Sequence, residues 1–244
     1  MRSFGPLAVV IPAHNEAGRL PAVLERLAAV KFEVPLLAPT VVDDGSSDGT
    51  AEAATRAGAA VVRLSGNRGK GAALLAGVSA ALQNGAAVIV VMDADGQHRP
   101  EDIPALVAPI LDGAAEVSLG ARDFTAEMPR LFRFGNRLLS GAVAVLYGLR
   151  VSDSQCGLRA FTPAALERLR WASPGYAVET EMLVRLAAAR IPWREVRIPS
   201  LYLDRDKGTK PSDGLVILGK LIAWRVAGPP APPPVEIGRP APSA

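Results

Sequence analysis

The chain has 244 residues, 49% of them hydrophobic and 21% charged, which is enough to bury one substantial core and too little for two full-size domains. Its 27 basic and 24 acidic residues leave a formal net charge of +3, a small and dispersed surplus that argues against a dedicated nucleic-acid binder. The single cysteine, Cys156, excludes an intramolecular disulfide and, with only His14 and His98 beside it, a Cys/His zinc site; a reducing, cytoplasmic setting is the simplest fit.

The residues Met1 to Pro6 run straight into a short apolar segment without a long hydrophobic region or a small-residue cleavage site, so no secretory signal is expected. Apolar bursts of strand length then alternate with segments of helical period, the pattern of stacked β-α units around a mainly parallel sheet. The expected strands are Leu7 to Ile11, Thr40 to Val42, Ala60 to Leu64, Ala87 to Met92 and Glu116 to Leu119, and their nearly continuous apolar character suits strands covered on both faces. Between the first two, Leu20, Val23, Leu24 and Leu27 form one apolar stripe opposite Glu25 and Arg26, which predicts a helix packed on the sheet. Further helices are expected over Thr50 to Ala57, Gly71 to Leu82, Glu101 to Leu111, Leu131 to Tyr147, Pro163 to Leu169 and Val178 to Ala189.

The late apolar stretch Leu215 to Ala227 is too short for a bilayer span and is interrupted by Lys220 and Arg225. From Pro229 the chain is dominated by Pro, Gly and Ala, so residues 229–244 are expected to form a disordered or polyproline-like tail.

In a parallel α/β sheet ligands collect at the carboxyl ends of the strands. There the sequence places Pro12-Ala13-His14-Asn15-Glu16, then Asp43-Asp44-Gly45-Ser46-Ser47-Asp48, then Asn67-Arg68-Gly69-Lys70-Gly71, and then Asp93-Ala94-Asp95-Gly96-Gln97-His98. Two carboxylates one residue apart, at the end of a buried strand, repel each other unless a hard cation such as Mg²⁺ or Mn²⁺ sits beside them, with phosphate oxygens completing its shell. The alternative for Asp93 and Asp95 is a strand end and a turn cap with Gly96. For Asp44 the alternatives are a hydrogen bond to a nucleotide base or ribose and a turn position, with Ser46 to Asp48 capping the next helix. The glycine-flanked Lys70 fits neither a P-loop nor a dinucleotide-binding fingerprint; Lys70 and Arg68 either lie near a nucleotide or are solvated cations at a helix entry.

Taken together these segments resemble the catalytic domain of glycosyltransferase family 2, and in particular its dolichyl-phosphate mannose synthase and polyprenyl-phosphate glycosyltransferase group. The resemblance extends from about Val9 to Leu218 and includes Gly120-Ala121-Arg122, the run Val151 to Phe161, and Val178-Glu179-Thr180-Glu181-Met182-Leu183. It implies a single GT-A, Rossmann-like domain over residues 1–228, with a nucleotide-binding half at about 7–120 and an acceptor half at about 121–228. It further implies that Pro12, His14, Glu16, Asp44 and Lys70 line the nucleotide pocket, with Ala94 between the two aspartates. Asp93 and Asp95 would handle Mg²⁺ or Mn²⁺ and the diphosphate, with Gln97 as a further ligand, and Arg122, Arg133 and Arg137 would meet phosphates of donor or lipid acceptor. Arg205 and Lys210 fall where relatives carry a basic loop that closes over the site, although the usual Gly-x-Ser-Lys spacing is not kept here. Cys156, where many relatives have a small hydroxyl residue, reads as packing.

The implied activity is metal-dependent, inverting transfer of a hexose from a nucleotide sugar, UDP-glucose or GDP-mannose, to a polyprenyl phosphate. A lipid monophosphate is already mostly ionised near neutral pH and needs no general base. A hydroxyl acceptor would need one, and Asp153, Glu179 and Glu181 are the candidates, their alternative being helix capping or salt bridges to Arg159 and Arg185. The helix at Leu131 to Leu149, with Arg133 and Arg137 near its start, and the segment Asp213 to Ala227 either lie apolar face down on the cytoplasmic face of a membrane, as a peripheral protein would, or cover the sheet or mediate a homodimer. The rival readings are a transferase of the same fold acting on a soluble acceptor, such as a phosphoglycerate or a glycan hydroxyl, and a non-catalytic nucleotide-sugar-binding protein.

Overall fold

Strand β1 (Leu7–Ala13) is apolar along its length because both of its faces are covered: Leu7, Val9 and Ile11 enter one core, Ala8 and Val10 the other. In the computed structural model, which describes residues 4–123, 128, 130–199 and 211–232, β1 lies in a seven-stranded sheet. The other strands are β2 (Thr40–Asp43), β3 (Ala60–Arg63), β4 (Val88–Val91), β5 (Val117–Arg122), β6 (Arg159–Phe161) and β7 (Trp193–Ile198), in the order β3-β2-β1-β4-β6-β5-β7. β1 runs parallel to β2 and β4, β2 to β3 and β5 to β7, whereas β6 is antiparallel to both of its neighbours. The carboxyl ends of β2, β1 and β4 therefore lie side by side.

All five expected strands are present. β6 and β7 are additions without a strong apolar signal: β6 is three residues long and includes a buried arginine, and β7 carries charged residues on its exposed positions. One expectation is corrected. β3 is an edge strand with Ala60 and Arg63 exposed, so only its inner side is covered by the sheet.

Eight α-helices occur among the described residues: α1 (Leu20–Ala29), α2 (Thr50–Arg56), α3 (Lys70–Gln83), α4 (Ile103–Leu111), α5 (Arg130–Tyr147), α6 (Pro163–Leu169), α7 (Val178–Ala189) and α8 (Pro211–Ala227). α1 buries the four residues of its predicted stripe and packs with α4 on one face of the sheet. The opposite face is covered by α3 and α5 to α8. Truncating one of these fully buried leucines, such as Leu27, to alanine costs about 2–5 kcal/mol. The helix expected from Glu101 begins as a 3₁₀ turn at Pro100–Asp102 and becomes α-helical at Ile103, where Pro104 can occupy a first-turn position because no helical partner awaits its missing N–H.

No helix among the described residues is long and apolar enough to cross a membrane. Of the proline-rich tail, Pro230 accepts a hydrogen bond from Arg185 (2.6 Å), and residues 233–244 lie outside the described residues.

Candidate active site

Three parallel strand ends build the rim. After β1, Asn15 adopts a left-handed conformation (φ 55°), and its side chain accepts from the Ser47 amide (2.9 Å) while its own amide donates to Ser46 Oγ (3.0 Å). His14 is fixed by Nδ1, which donates to the Asp44 carbonyl (2.9 Å); Nε2 is then the acceptor, and Asn15 Nδ2 approaches it at 3.3 Å. Glu16 lies beside Arg19 (3.6 Å), and its amide donates to Thr50 Oγ1. Pro12 and Ala13 continue β1 in register with Val42 and Asp43. The sequence thus places Pro12, His14, Glu16 and Asp44 together.

Asp44 is buried, and its two oxygens accept from the Arg68 and Gly69 amides (2.7 and 2.8 Å). The carboxylate consequently shapes the loop that delivers Lys70. Gly69 has φ +91°, and a side chain there would run into the Pro174 carbonyl, so the loop depends on glycine. Asp48 accepts from the amide of Thr50, the first residue of α2 (3.0 Å), but the N-cap position itself is Gly49 and carries no side-chain cap, so the capping expected of Ser46 to Asp48 is reduced to this one contact.

Lys70 opens α3, and its ammonium lies between two carboxylates, 2.5 Å from Asp93 Oδ1 and 2.6 Å from Glu179 Oε1. Burial opposes its charge, but Asp93 and Glu179 outweigh that and hold the group above the usual lysine range. The same pairing, with help from His98, overcomes the burial of Asp93 and holds its carboxyl well below the usual range. His98 is itself buried and sits with Nε2 3.6 Å from Asp93 Oδ2. Asp95 behaves in the opposite way. Burial, and then the neighbouring charge of Asp93, push its carboxyl up. Its Oδ1 accepts from the Gln97 amide (2.9 Å), and none of the ion pairs among the described residues includes it. Ala94 is buried between the two aspartates.

These residues fit a divalent cation of the Mg²⁺ or Mn²⁺ type. Among the described residues no group of three acidic, His or Cys side chains is placed to hold a metal ion; Asp93 and Asp95 are the hard oxygen donors at the rim that such a cation would take.

On the other side of the rim, Arg122 at the end of β5 forms a bidentate pair with Asp153 (2.6 and 3.0 Å). Asn136 of α5 donates to the same carboxylate (2.9 Å). Burial would raise the Asp153 carboxyl, but Arg122 holds it below its ordinary value. A base must reach the proton it removes. Asp153, with no exposed side-chain surface and its oxygens engaged by these donors, is not placed to do so. The other two base candidates are also engaged: Glu179 by Lys70, and Glu181 by the Ala172 and Ser173 amides and by Arg185 (2.7 Å). Arg159 donates to the carbonyls of Cys156, Glu179 and Ser154, and none of the ion pairs among the described residues joins it to Asp153, Glu179 or Glu181.

Arg133, half-buried, donates to the Met128 carbonyl (3.0 Å), and Arg137 is exposed one turn further along α5. Arg205 and Lys210 lie outside the described residues. Cys156 is buried and its thiol is pushed up to about 12, first by burial and then by Asp153, which agrees with a packing role. The sequence reading left His98, Asn136 and Gly157 without roles. His98 stood inside the aspartate motif. The other two acquire meaning only through contacts with residues 17 and more than 60 positions away.

Residues 8–169 match the family model described as Glycosyl transferase family 2. The chain is 30% identical over 236 residues to the polyprenol monophosphomannose synthase of Mycolicibacterium smegmatis, covering 90% of this chain and 87% of that protein. It is 33% identical to the undecaprenyl-phosphate mannosyltransferase of Micrococcus luteus, covering 85% and 88% of the two chains. Its fold is similar to that of glucosyl-3-phosphoglycerate synthase from Mycobacterium tuberculosis, solved with Mn²⁺, UDP and glucosyl-3-phosphoglycerate (TM-score 0.71, 24% identity, 93% and 81% coverage). On this combination of sequence match, fold and rim, the chain belongs to glycosyl transferase family 2.

Proposed function

We propose that this glycosyltransferase moves a hexose, with inversion, from a nucleotide sugar to a polyprenyl phosphate, working as a peripheral protein at the cytoplasmic face of a membrane. The observation that carries this reading is the position of α5. Its Asn136 holds Asp153, which holds Arg122 at the rim, while Leu131, Phe134 and Leu138 of the same helix are exposed. One helix thus joins an anion-binding arginine to an exposed apolar stripe, which is the chemistry of an amphiphilic phosphate. α8 packs against α5 and exposes Leu215, Val216, Ile222 and Val226, with Arg225 also exposed.

The engagement of Asp153, Glu179 and Glu181 favours the same acceptor. A phosphate monoester is mostly ionised near neutral pH and attacks without a base, whereas a hydroxyl acceptor would require one. The relatives named polyprenol monophosphomannose synthase and undecaprenyl-phosphate mannosyltransferase point the same way.

On this reading the loop joining β1 to α1, together with Asp44 and Lys70, receives the nucleotide, and Arg122 with Arg133 and Arg137 faces phosphate. A divalent cation, Mg²⁺ or Mn²⁺, held at Asp93 and Asp95 with Gln97 would neutralise charge on the departing diphosphate. Arg205 and Lys210 are assigned to closing the site. The test is a transfer assay with purified protein and Mn²⁺ or Mg²⁺, offering UDP-glucose and GDP-mannose separately with a short polyprenyl phosphate. Label in the organic phase supports the reading and names the donor. Transfer to a water-soluble acceptor alone would overturn it in favour of the soluble-acceptor activity.

A further inference from the structure

We propose that Glu181, a buried carboxylate of α7 that the proposed chemistry does not use, is a positioning residue for the entry of α3, acting through the turn Trp171 to Pro174 and so setting nucleotide affinity from outside the nucleotide pocket. This rests on the reading that the loop delivering Lys70 receives the nucleotide, and deepens it.

A helix begins with amide donors that have no partner inside the helix. α3 brings no side chain of its own to serve them, because its N-cap is Gly69. The partner comes from about a hundred residues further along the chain: the Pro174 carbonyl accepts from the Gly71 amide (2.6 Å) and the Ala72 amide (3.3 Å). Trp171, itself buried, answers in the other direction, its Nε1 donating to the Gly71 carbonyl (2.8 Å). The fit is close enough to exclude side chains on either glycine, since a Cβ on Gly69 would run into the Pro174 carbonyl and one on Gly71 into the Ser173 carbonyl.

The turn that supplies this cap belongs to no helix or strand, and Glu181 holds it. Its carboxylate accepts from two consecutive amides of the turn, Ala172 at Oε1 (2.9 Å) and Ser173 at Oε2 (2.7 Å). Arg185, one helical turn along α7, fixes the same carboxylate through Nε (2.8 Å), and its Nη2 also donates to the Pro230 carbonyl, which ties the segment after α8 to the same cluster. Glu181 is fully buried, so replacing either oxygen by an NH₂ group turns a donor towards a donor where solvent cannot compensate, and the turn must shift. Asp44 supports the preceding Arg68 and Gly69 amides directly, whereas Glu181 supports Gly71 and Ala72 one link away.

The experiment is hydrogen exchange followed by mass spectrometry, together with calorimetric titration by UDP and by GDP, on the full chain and on E181Q, R185M and R185K, each checked for folding by circular dichroism. In E181Q the peptide containing Gly71 and Ala72 should exchange about tenfold faster or more, with α1 and β5 unchanged. Nucleotide affinity should fall by about fivefold or more, the worth of a hydrogen bond in the loop. R185M should move both readouts in the same direction, and R185K should restore them. Unchanged affinity in a folded E181Q whose loop exchanges faster would make Glu181 merely structural, and weakened affinity without faster exchange at Gly71 and Ala72 would mean that it acts by another route; either result overturns the inference and leaves the nucleotide pocket standing. If E181Q does not fold, R185M against R185K decides alone. Failure of the wild type to bind either nucleotide would overturn the nucleotide reading and the inference with it.

Discussion

Arg122 and Asp153, 31 residues apart, meet through two guanidinium nitrogens, Nε and Nη2, and both carboxylate oxygens, and the Arg122 amide donates to the same carboxylate (3.2 Å). The loop before β6 and the end of β5 are thereby locked together, and α5 joins them through Asn136. On the proposed function, an arginine fixed in this way at a strand end would cost little to reorganise when a phosphate arrives.

Asp153→Ala removes the buried carboxylate that Arg122 and Asn136 engage and is expected to destabilise the fold by about 3–5 kcal/mol. Urea unfolding followed by tryptophan fluorescence, to which the buried Trp171 contributes, measures it. The pH dependence has a definite sign. Because Asp153 has a lowered pKa in the folded state, its stabilisation is complete above its ordinary carboxylate range and is lost as the pH falls through the folded value. The variant should accordingly lose part of the acid sensitivity of the wild type. Parallel unfolding curves of the two proteins across the acid range would contradict this.

Asp95→Asn removes the carboxylate that lies outside every ion pair among the described residues. Transfer activity should fall by roughly 10²-fold or more. Stability should hold or improve, since the folded state keeps this carboxyl buried next to Asp93. Activity assays and thermal unfolding on the same sample separate the two effects, and near-normal transfer would remove Asp95 from the chemistry.

Gly157→Ala brings a methyl group onto Asp93 and towards Lys70. The displacement is expected to cost about 1–3 kcal/mol. A drop in nucleotide affinity, measured by calorimetry, should accompany it. A variant as stable and as tight-binding as the wild type would show that the cluster has room to yield.

Phe134→Glu combined with Val226→Glu places charge on the exposed stripes of α5 and α8, where both side chains are largely solvent-exposed. Stability should change by no more than about 0.5 kcal/mol per site. Sedimentation with anionic liposomes, strong for the wild type at low salt and weaker at high salt, should be abolished. Retained sedimentation would exclude these stripes as the membrane contact.

Cys156 is buried with its thiol pushed up to about 12. The native protein should resist thiol reagents at neutral pH and react only on unfolding. Rapid native labelling, followed by absorbance, would contradict the burial.

The sequence alone determined the five apolar strands, the stripe of α1, the membership of the rim and the order in which its motifs arrive, because apolar periodicity and strand-end chemistry are local properties. It also placed α6 and α7, whose limits Pro163 to Leu169 and Val178 to Ala189 coincide with the structure. The tertiary structure decided what no spacing encodes. β6 and β7 lack a strong apolar signal and are made strands by their neighbours in the sheet. Asp93 and Asp95 look equivalent in the motif, yet Lys70 from α3, Glu179 from α7 and His98 surround the first and leave the second without a cation. The difference is physical: a carboxylate's charge state and reach depend on desolvation and on the charges within a few ångströms, and those neighbours are assembled from residues up to about a hundred positions apart.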